Sequence, residues 1–355
     1  MVGSEGLTVA ELCNRFLTAK QRKLSSGEIT GHSFREYKAV TDRLVSTFGK
    51  SRFVDDLASD DFEALRAGIA KRCGPVRLGN EITRIKGVFK YTFDYSLIDR
   101  PIRYGSEFKK PGKSVIRRHK AANGKNLLEA DEILLLMDAA SVQLNAMILL
   151  GVNCGFGNTD VADLSQSAVD LVSGWVDFPR PKTGIERRCP LWPETSETLR
   201  EAIKHRPAPK EPADADCMFL TARGQRWVRS TTTSRTDRVT REFNKLTKTV
   251  GVHRRGLGPY TLRHVFRTIA DGARDQVSAN LIMGHSDPTM GGHYRESIDD
   301  SRLVAVTDHV HSWLFGGDGS TPDEEEQQHQ QADQSDQVIV VGSDKDDQPR
   351  LRVVG

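Results

Sequence analysis

Apolar residues in the first hundred positions recur at helical spacing in four separate stretches. In the first, Thr8 stands three residues ahead of Glu11, a pattern in which each side chain caps the other's backbone amide, and Val9, Leu12, Cys13, Phe16 and Leu17 follow on one helix face. A second stretch carries Phe34, Tyr37, Leu44, Val45 and Phe48. A third, after Ser59, carries Phe62, Leu65 and Ile69, and a fourth Ile82, Ile85, Phe89 and Phe93. Turn-forming residues separate the four, so this region predicts a small bundle of amphipathic helices whose apolar stripes form a core.

Beyond Leu128 the pattern is mixed. Helices are predicted over Glu129–Ala140 and Val142–Val152. Two strands follow, Trp175–Phe178 and Arg187–Leu191, joined by the turn Pro179-Arg180-Pro181-Lys182-Thr183-Gly184. Helices resume at Glu194 and are predicted again over Ser234–Val250, Thr261–Ala273, Gln276–Met283 and a short piece near Tyr294. The fold class is therefore mainly α with a small β-hairpin, an α+β chain of two units.

Between the units, residues 109–125 hold Lys109, Lys110, Lys113, Arg117, Arg118, Lys120, Lys125 and His119 without one acidic residue, and Pro111, Gly112 and Gly124 punctuate them. An extended basic linker is the expectation, able to lie along a phosphate backbone. From Gly316 the composition turns to Asp, Glu, Gln, Ser and Gly, which cannot bury enough apolar surface to order itself; Val338–Val341 is a brief apolar exception, suited to pairing with a sheet edge. The expected organisation is a helical unit over 1–108, a linker over 109–125, a mixed unit over 126–316 and an acidic tail over 317–355.

Charge sharpens this division. Residues 318–355 carry ten acidic groups against Lys345, Arg350 and Arg352, a net of −7, which leaves +10 on residues 1–317 out of the chain total of +3. A basic body with an acidic tail is the electrostatic footprint of a nucleic-acid binder. The 37% hydrophobic and 28% charged composition fits a globular chain, no apolar run approaches a membrane span, and the N-terminus lacks a signal-peptide layout, so a cytoplasmic location is expected. The five scattered cysteines, Cys13, Cys73, Cys154, Cys189 and Cys217, suggest neither a disulfide framework nor a zinc site and are expected to be reduced.

The reactive side chains fall in three places. Gly258-Pro259-Tyr260-Thr261-Leu262-Arg263-His264 opens a predicted helix, where cations would lie near its positive end. Leu281-Ile282-Met283-Gly284-His285 is followed nine residues later by Tyr294, and Lys182 sits in the hairpin turn. This constellation resembles the tyrosine recombinase, or phage integrase, family, whose C-terminal half carries a His-x-Leu-Arg-His box, a Leu-Gly-His box and a tyrosine about nine residues on. The resemblance covers roughly residues 125–315, and the N-terminal bundle is similar to that family's core-binding domain, which grips DNA from the opposite side.

What the resemblance implies is strand exchange on double-stranded DNA by a homotetramer on paired sites, with no cofactor, metal, nucleotide or membrane required, by a cytoplasmic protein associated with the nucleoid. Tyr294 would attack a phosphodiester and Arg263 would pair with its non-bridging oxygens. His285 would donate another hydrogen bond and Lys182 would protonate the leaving 5′ oxygen. His264 would either touch the substrate or support the site from beneath. Storing the bond energy in a phosphotyrosine removes the need for ATP, and no Walker-type glycine-lysine motif occurs.

Two positions depart from the family pattern. Gly157 in Cys154-Gly155-Phe156-Gly157-Asn158-Thr159-Asp160 stands where the family has its first active-site arginine, with Asp160 at the acidic position that supports it. Tyr260 stands where histidine is usual, and a phenol is a poor base at neutral pH. Asn158 and Thr159 are polar enough to cap the helix or face phosphate. Candidate replacements for the missing cation are Arg180, Arg187 and Arg188. Three functions stay open: an active recombinase, a degenerate relative that binds DNA without cutting it, and a type IB topoisomerase, which the chain's length and short tyrosine spacing disfavour.

Overall fold

The computed structural model describes residues 6–122, 124, 127–231, 234–286 and 297–316. Tyr294, Lys125 and the acidic segment 317–355, including Val338–Val341, lie outside the described residues.

Four helices, α1 (Val9–Ser25), α2 (Gly31–Phe48), α3 (Ser59–Ala70) and α4 (Pro75–Asp94), follow the predicted stripes. The Thr8–Glu11 capping box is formed, with the Thr8 amide 3.0 Å from Glu11 Oε2 and the Glu11 amide 3.3 Å from Thr8 Oγ1. These helices share a core built from Leu12, Phe16, Leu44, Ile85 and the buried ring of Phe62. Phe62 meets Phe48, Phe89, Tyr104 and Phe108 at centroid separations of 5.0–5.5 Å, mostly edge to face, which suits the ring quadrupoles.

The expected extended linker is corrected. Residues Lys113–Ala122 form a helix, α5. The amides of Val115 and Ile116 both bond to the Gly112 carbonyl at 3.0 and 3.2 Å, and Gly124, at φ +73°, ends the run with its amide on Ala121. No glycine or proline interrupts the residues between, so the glycines bound a helix rather than dissolve it. None of α5 is buried, which leaves its cations facing solvent.

A second core contains Leu136, Leu150, Phe219, Phe243, Phe266 and Val310 and shares no residue with the first. Around it lie α6 (Ala130–Ala139), α7 (Val142–Asn153), α8 (Asn158–Asp163), the antiparallel strands β1 (Val169–Asp170), β2 (Trp175–Asp177) and β3 (Arg188–Pro190), and α9 (Pro193–Lys204). The hairpin β4 (Val228–Ser230) and β5 (Arg235–Asp237) precedes α10 (Arg238–Thr249), α11 (Tyr260–Ala270), α12 (Gln276–Met283) and α13 (Asp300–Phe315). In the main sheet Val176 pairs with Cys189 and Asp177 with Arg188. The helix predicted from Ser234 starts only at Arg238, because the Asp237 carboxylate accepts the Thr240 amide at 2.9 Å and so sets the N-cap after a strand. The helix predicted over Thr261–Ala273 ends at Ala270, and a single tight turn follows. Helix α13 was not predicted, although Leu303, Val306, Val310 and Leu314 mark its buried face.

Across the two units, the Arg35 guanidinium of α2 reaches Ser230 Oγ at 3.1 Å, the Ser234 carbonyl at 3.2 Å and the Thr231 carbonyl. All five cysteines are free, and all but Cys73 are buried. Among the described residues no helix is long and apolar enough to cross a membrane.

Candidate active site

Three loops converge beside α11. Helix α7 ends at Cys154, and Gly155 follows at φ +61°, where a Cβ would lie 2.9 Å from the Phe266 ring. Only glycine satisfies both the left-handed backbone and that close approach. Its carbonyl accepts a hydrogen bond from the Arg263 guanidinium. Helix α12 ends at Gly284, also left-handed, whose missing side chain leaves room for the Arg187 stem; a Cβ there would stand 2.7 Å from Arg187 Cδ.

Arg263, 2% exposed, is the centre of this junction. Besides Gly155 it donates to the Met283 carbonyl at 2.7 Å and to His285 Nε2 at 2.9 Å. A guanidinium cannot accept, so Nε2 is the acceptor and the neutral imidazole carries its proton on Nδ1. Burial, with Arg263, Arg180 and Arg267 nearby, pushes the His285 pKa down to about 4. His285 is therefore neutral at pH 7, with its one N–H at Nδ1. Burial and Arg180 also lower the pKa of Arg263, which nevertheless stays charged.

Tyr260 and His264, four residues apart on α11, share its exposed face and meet edge to face at 5.3 Å. Arg263 turns into the protein, with the Tyr260 hydroxyl near its guanidinium. The chain thus separates His264 from the Arg263–His285 pair. Lys182 is exposed at the tip of the turn between β2 and β3. That turn is closed by the amides of Arg180 on the Ile185 carbonyl and Gly184 on the Arg180 carbonyl, both at 2.8 Å. Tyr294 lies outside the described residues, so its placement against Arg263 is not described.

The three candidate arginines of the hairpin separate sharply, because successive strand residues face opposite sides. Arg188 points outward onto the Trp175 ring and bonds Asp300 at 2.8 Å and Asp177 at 2.6 Å. Arg187 points inward, with its guanidinium carbon 4.2 Å from the Phe156 ring centre and Nε donating to the Phe178 carbonyl at 2.8 Å. Its NH1 lies 3.5 Å from Asp160 Oδ1, and burial lowers its pKa. Arg180 is half-buried, and its guanidinium reaches the Gly284 carbonyl at 3.4 Å. The aromatic cradle of Phe156 and Phe178 was not anticipated from sequence, since nothing local links the two rings.

At the position of the first departure, the Gly157 amide donates to Asp160 Oδ2 at 2.7 Å, and a Cβ on Gly157 would lie 3.1 Å from Tyr260 Cε2. Asn158 turns away and donates to Thr240 Oγ1 at 2.6 Å, so it serves packing between α8 and α10.

A buried arginine bonded to a neutral histidine thus stands beside a β-hairpin carrying further cations. The family model described as the phage integrase family matches residues 125–300, so the chain carries a domain of that family. The fold is shared with solved structures of modest identity. A lambda integrase dimer bound to a COC' core site aligns at 16% identity and a TM-score of 0.59, over 82% of this chain and 99% of that one. The Tn1549 transposon integrase in complex with transposon right end DNA gives 16% and 0.60, over 86% of this chain and 100% of that one. A lambda integrase tetramer bound to a Holliday junction gives 16% and 0.59, over 84% and 82%. No curated protein matches the chain by sequence.

Proposed function

We propose that the chain is a site-specific recombinase that cleaves and rejoins duplex DNA through a 3′-phosphotyrosine link on Tyr294. The carrying observation is the buried Arg263 guanidinium hydrogen-bonded to neutral His285, an arrangement that presents positive charge and one directed N–H to an oxyanion. In this reading the Tyr294 oxygen attacks phosphorus as the bond to the 5′ oxygen breaks. Lys182 gives the 5′ oxygen its proton, and the phenol's proton leaves to solvent. Arg263 and His285 Nδ1–H hold the non-bridging oxygens of the pentavalent transition state. The helical unit over 1–108 and the unit over 126–316 clamp the duplex from opposite sides, with residues 109–125 between them along the backbone. The DNA complexes and the tetramer among the structural relatives support double-stranded DNA as the partner and a homotetramer on paired sites. The work would be done in the cytoplasm, at the nucleoid.

The test is a duplex nicked near the cleavage site, from which the short released strand diffuses away. Wild type is expected to give a protein–DNA adduct that survives denaturation. Tyr294→Phe should give none while binding DNA with nearly unchanged affinity, because only one hydroxyl is lost. Gly157 favours a second reading, a DNA-binding relative that does not cut, and an adduct-free wild type that still binds tightly would establish it. An adduct that persists in Tyr294→Phe would sink the nucleophile assignment.

A further inference from the structure

Asp160 keeps its post although the arginine it would support is absent. It accepts the Gly157 amide at 2.7 Å and faces the buried Arg187 at 3.5 Å, with Arg263 NH1 at 4.0 Å from its other oxygen. Arg187 thus neutralises Asp160 from behind, while its own side chain is sealed between Phe156 and Phe178. On the open side, two consecutive carbonyls of the α12 terminus are held by two different arginines, Met283 by Arg263 and Gly284 by Arg180. The two loops also approach closely, a Cβ on Gly284 falling 3.0 Å from the Arg180 side chain at Cβ.

We infer that Arg180, from the β2–β3 hairpin, supplies the second phosphate-binding cation in place of the arginine missing at Gly157, and that Arg187 is a positioning residue that holds Asp160 and the α12 terminus beneath it. The inference rests on the cleaving reading above. Arg188 is excluded by its outward ion pairs with Asp177 and Asp300. Arg187 is buried, with Nε bonded to Phe178 and NH1 turned to Asp160 at 3.5 Å; its NH1 and NH2 have no hydrogen-bond partner among the described residues but lie beneath the surface, behind Asp160 and the two rings. Among the described residues Arg180 makes one long hydrogen bond, to Gly284, and remains partly open to solvent, so of the three hairpin arginines its guanidinium is the one an incoming anion reaches from outside. Its charge is felt by the two groups that would grip the phosphate, since it lowers the pKa of both Arg263 and His285. Neighbouring guanidinium groups repel one another, and a phosphodiester between them relieves that repulsion. The same hairpin carries Lys182, so one short segment would deliver both a charge-neutralising group and the proton donor.

The experiment uses the full chain and duplexes first selected for tightest binding by wild type from a randomised pool, then nicked and mapped for the cleaved position. Adduct formation is timed for wild type, Arg180→Ala, Arg180→Lys and Arg188→Ala, on a phosphodiester and on a neutral methylphosphonate at that position. Arg180→Ala is expected to be slower by about 10²–10³-fold on the phosphodiester. The deficit should shrink to under roughly tenfold on the methylphosphonate, where one negative charge no longer needs neutralising. Arg180→Lys should fall between, and Arg188→Ala should match wild type. Adding Gly157→Arg with Tyr260→His to Arg180→Ala should recover at least about tenfold, since the cation then returns by the other route. An Arg180→Ala protein that cleaves at the wild-type rate overturns the inference and leaves the cleaving reading standing. An equal loss on both linkages also overturns it, because a folding defect ignores phosphate charge. A wild type that binds the selected duplexes but forms no adduct overturns both.

Discussion

The ring of Tyr260 lies against Gly157, so close that a Cβ on the glycine would stand 3.1 Å from Tyr260 Cε2 and 3.2 Å from Cδ2. The two departures from the family pattern, 103 positions apart by their residue numbers, are therefore one local substitution in space. A tyrosine occupies volume that a longer side chain at 157 would need, and each change accommodates the other.

Their coupling is measurable as stability. Gly157→Arg alone must push Tyr260 aside and should lose about 1–3 kcal/mol, the usual range for overpacking. Gly157→Arg combined with Tyr260→His should regain most of that loss, because the smaller ring leaves the space. Urea unfolding of the four proteins of the cycle reads the interaction directly, and strictly additive losses would show the two positions to be independent.

Arg187 and Asp160 form the buried ion pair beneath the site. Removing one member leaves a buried charge without its partner, so Arg187→Met should lower stability by about 3–5 kcal/mol. Arg187→Met with Asp160→Asn should be less destabilised than the single variant, although the amide is a weaker acceptor for the Gly157 N–H. Chemical denaturation of the single and double variants checks this; a double variant worse than Arg187→Met would show that Asp160 acts chiefly through Arg263.

His285 makes stability depend on pH in a defined window. Its folded pKa is about 4, against an ordinary value of 6.5, so as pH falls from 6.5 the unfolded chain takes up the proton first. Stability should fall with pH across that interval and level off, for this group, below about 4. The difference in unfolding free energy between wild type and His285→Gln should therefore shift with pH between 6.5 and 4 and stay constant above 7. On the proposed function, DNA binding would bring a phosphate toward the imidazole and raise its pKa, which histidine NMR titration with and without duplex would record.

The exposed cations around α5 should enter the salt dependence of DNA binding. Neutralising Lys109, Lys110, Arg117 and Arg118 together removes up to four phosphate contacts and should reduce the log–log salt slope by about 3–4 units. Binding isotherms between low and moderate salt test it, and an unchanged slope would place the segment away from the duplex.

Much of the architecture was legible along the chain. The stripes at Leu12–Phe16, Leu44–Phe48, Leu65–Ile69 and Ile85–Phe89 became helices because local hydrogen bonding and one-sided burial have the same period in sequence and in space. The glycines of the basic segment misled because a glycine can bound a helix as readily as break an extended run, and Gly112 and Gly124 do the former. Helix α13 carries a clear apolar period, yet its buried face has meaning only against the distant elements it packs on, α6, α7, α11, α12 and Trp192, whose indole N–H reaches the Thr307 carbonyl at 3.1 Å.

For the site, the sequence by itself determined which reactive residue types are present, their order, and the absence of arginine at 157. Tertiary structure alone decided where each side chain stands. Arg187 and Arg188 are neighbours in sequence and were equal candidates, but strand alternation sends one under Phe156 and the other to Asp300. Arg180 gained its place only because the α12 terminus at Gly284 folds onto the hairpin, a contact between segments 104 residues apart. Such contacts depend on how buried surfaces fit once the core has formed. No local period of a single chain encodes that fit, whereas caps and stripes are set by neighbours within one or two helical turns.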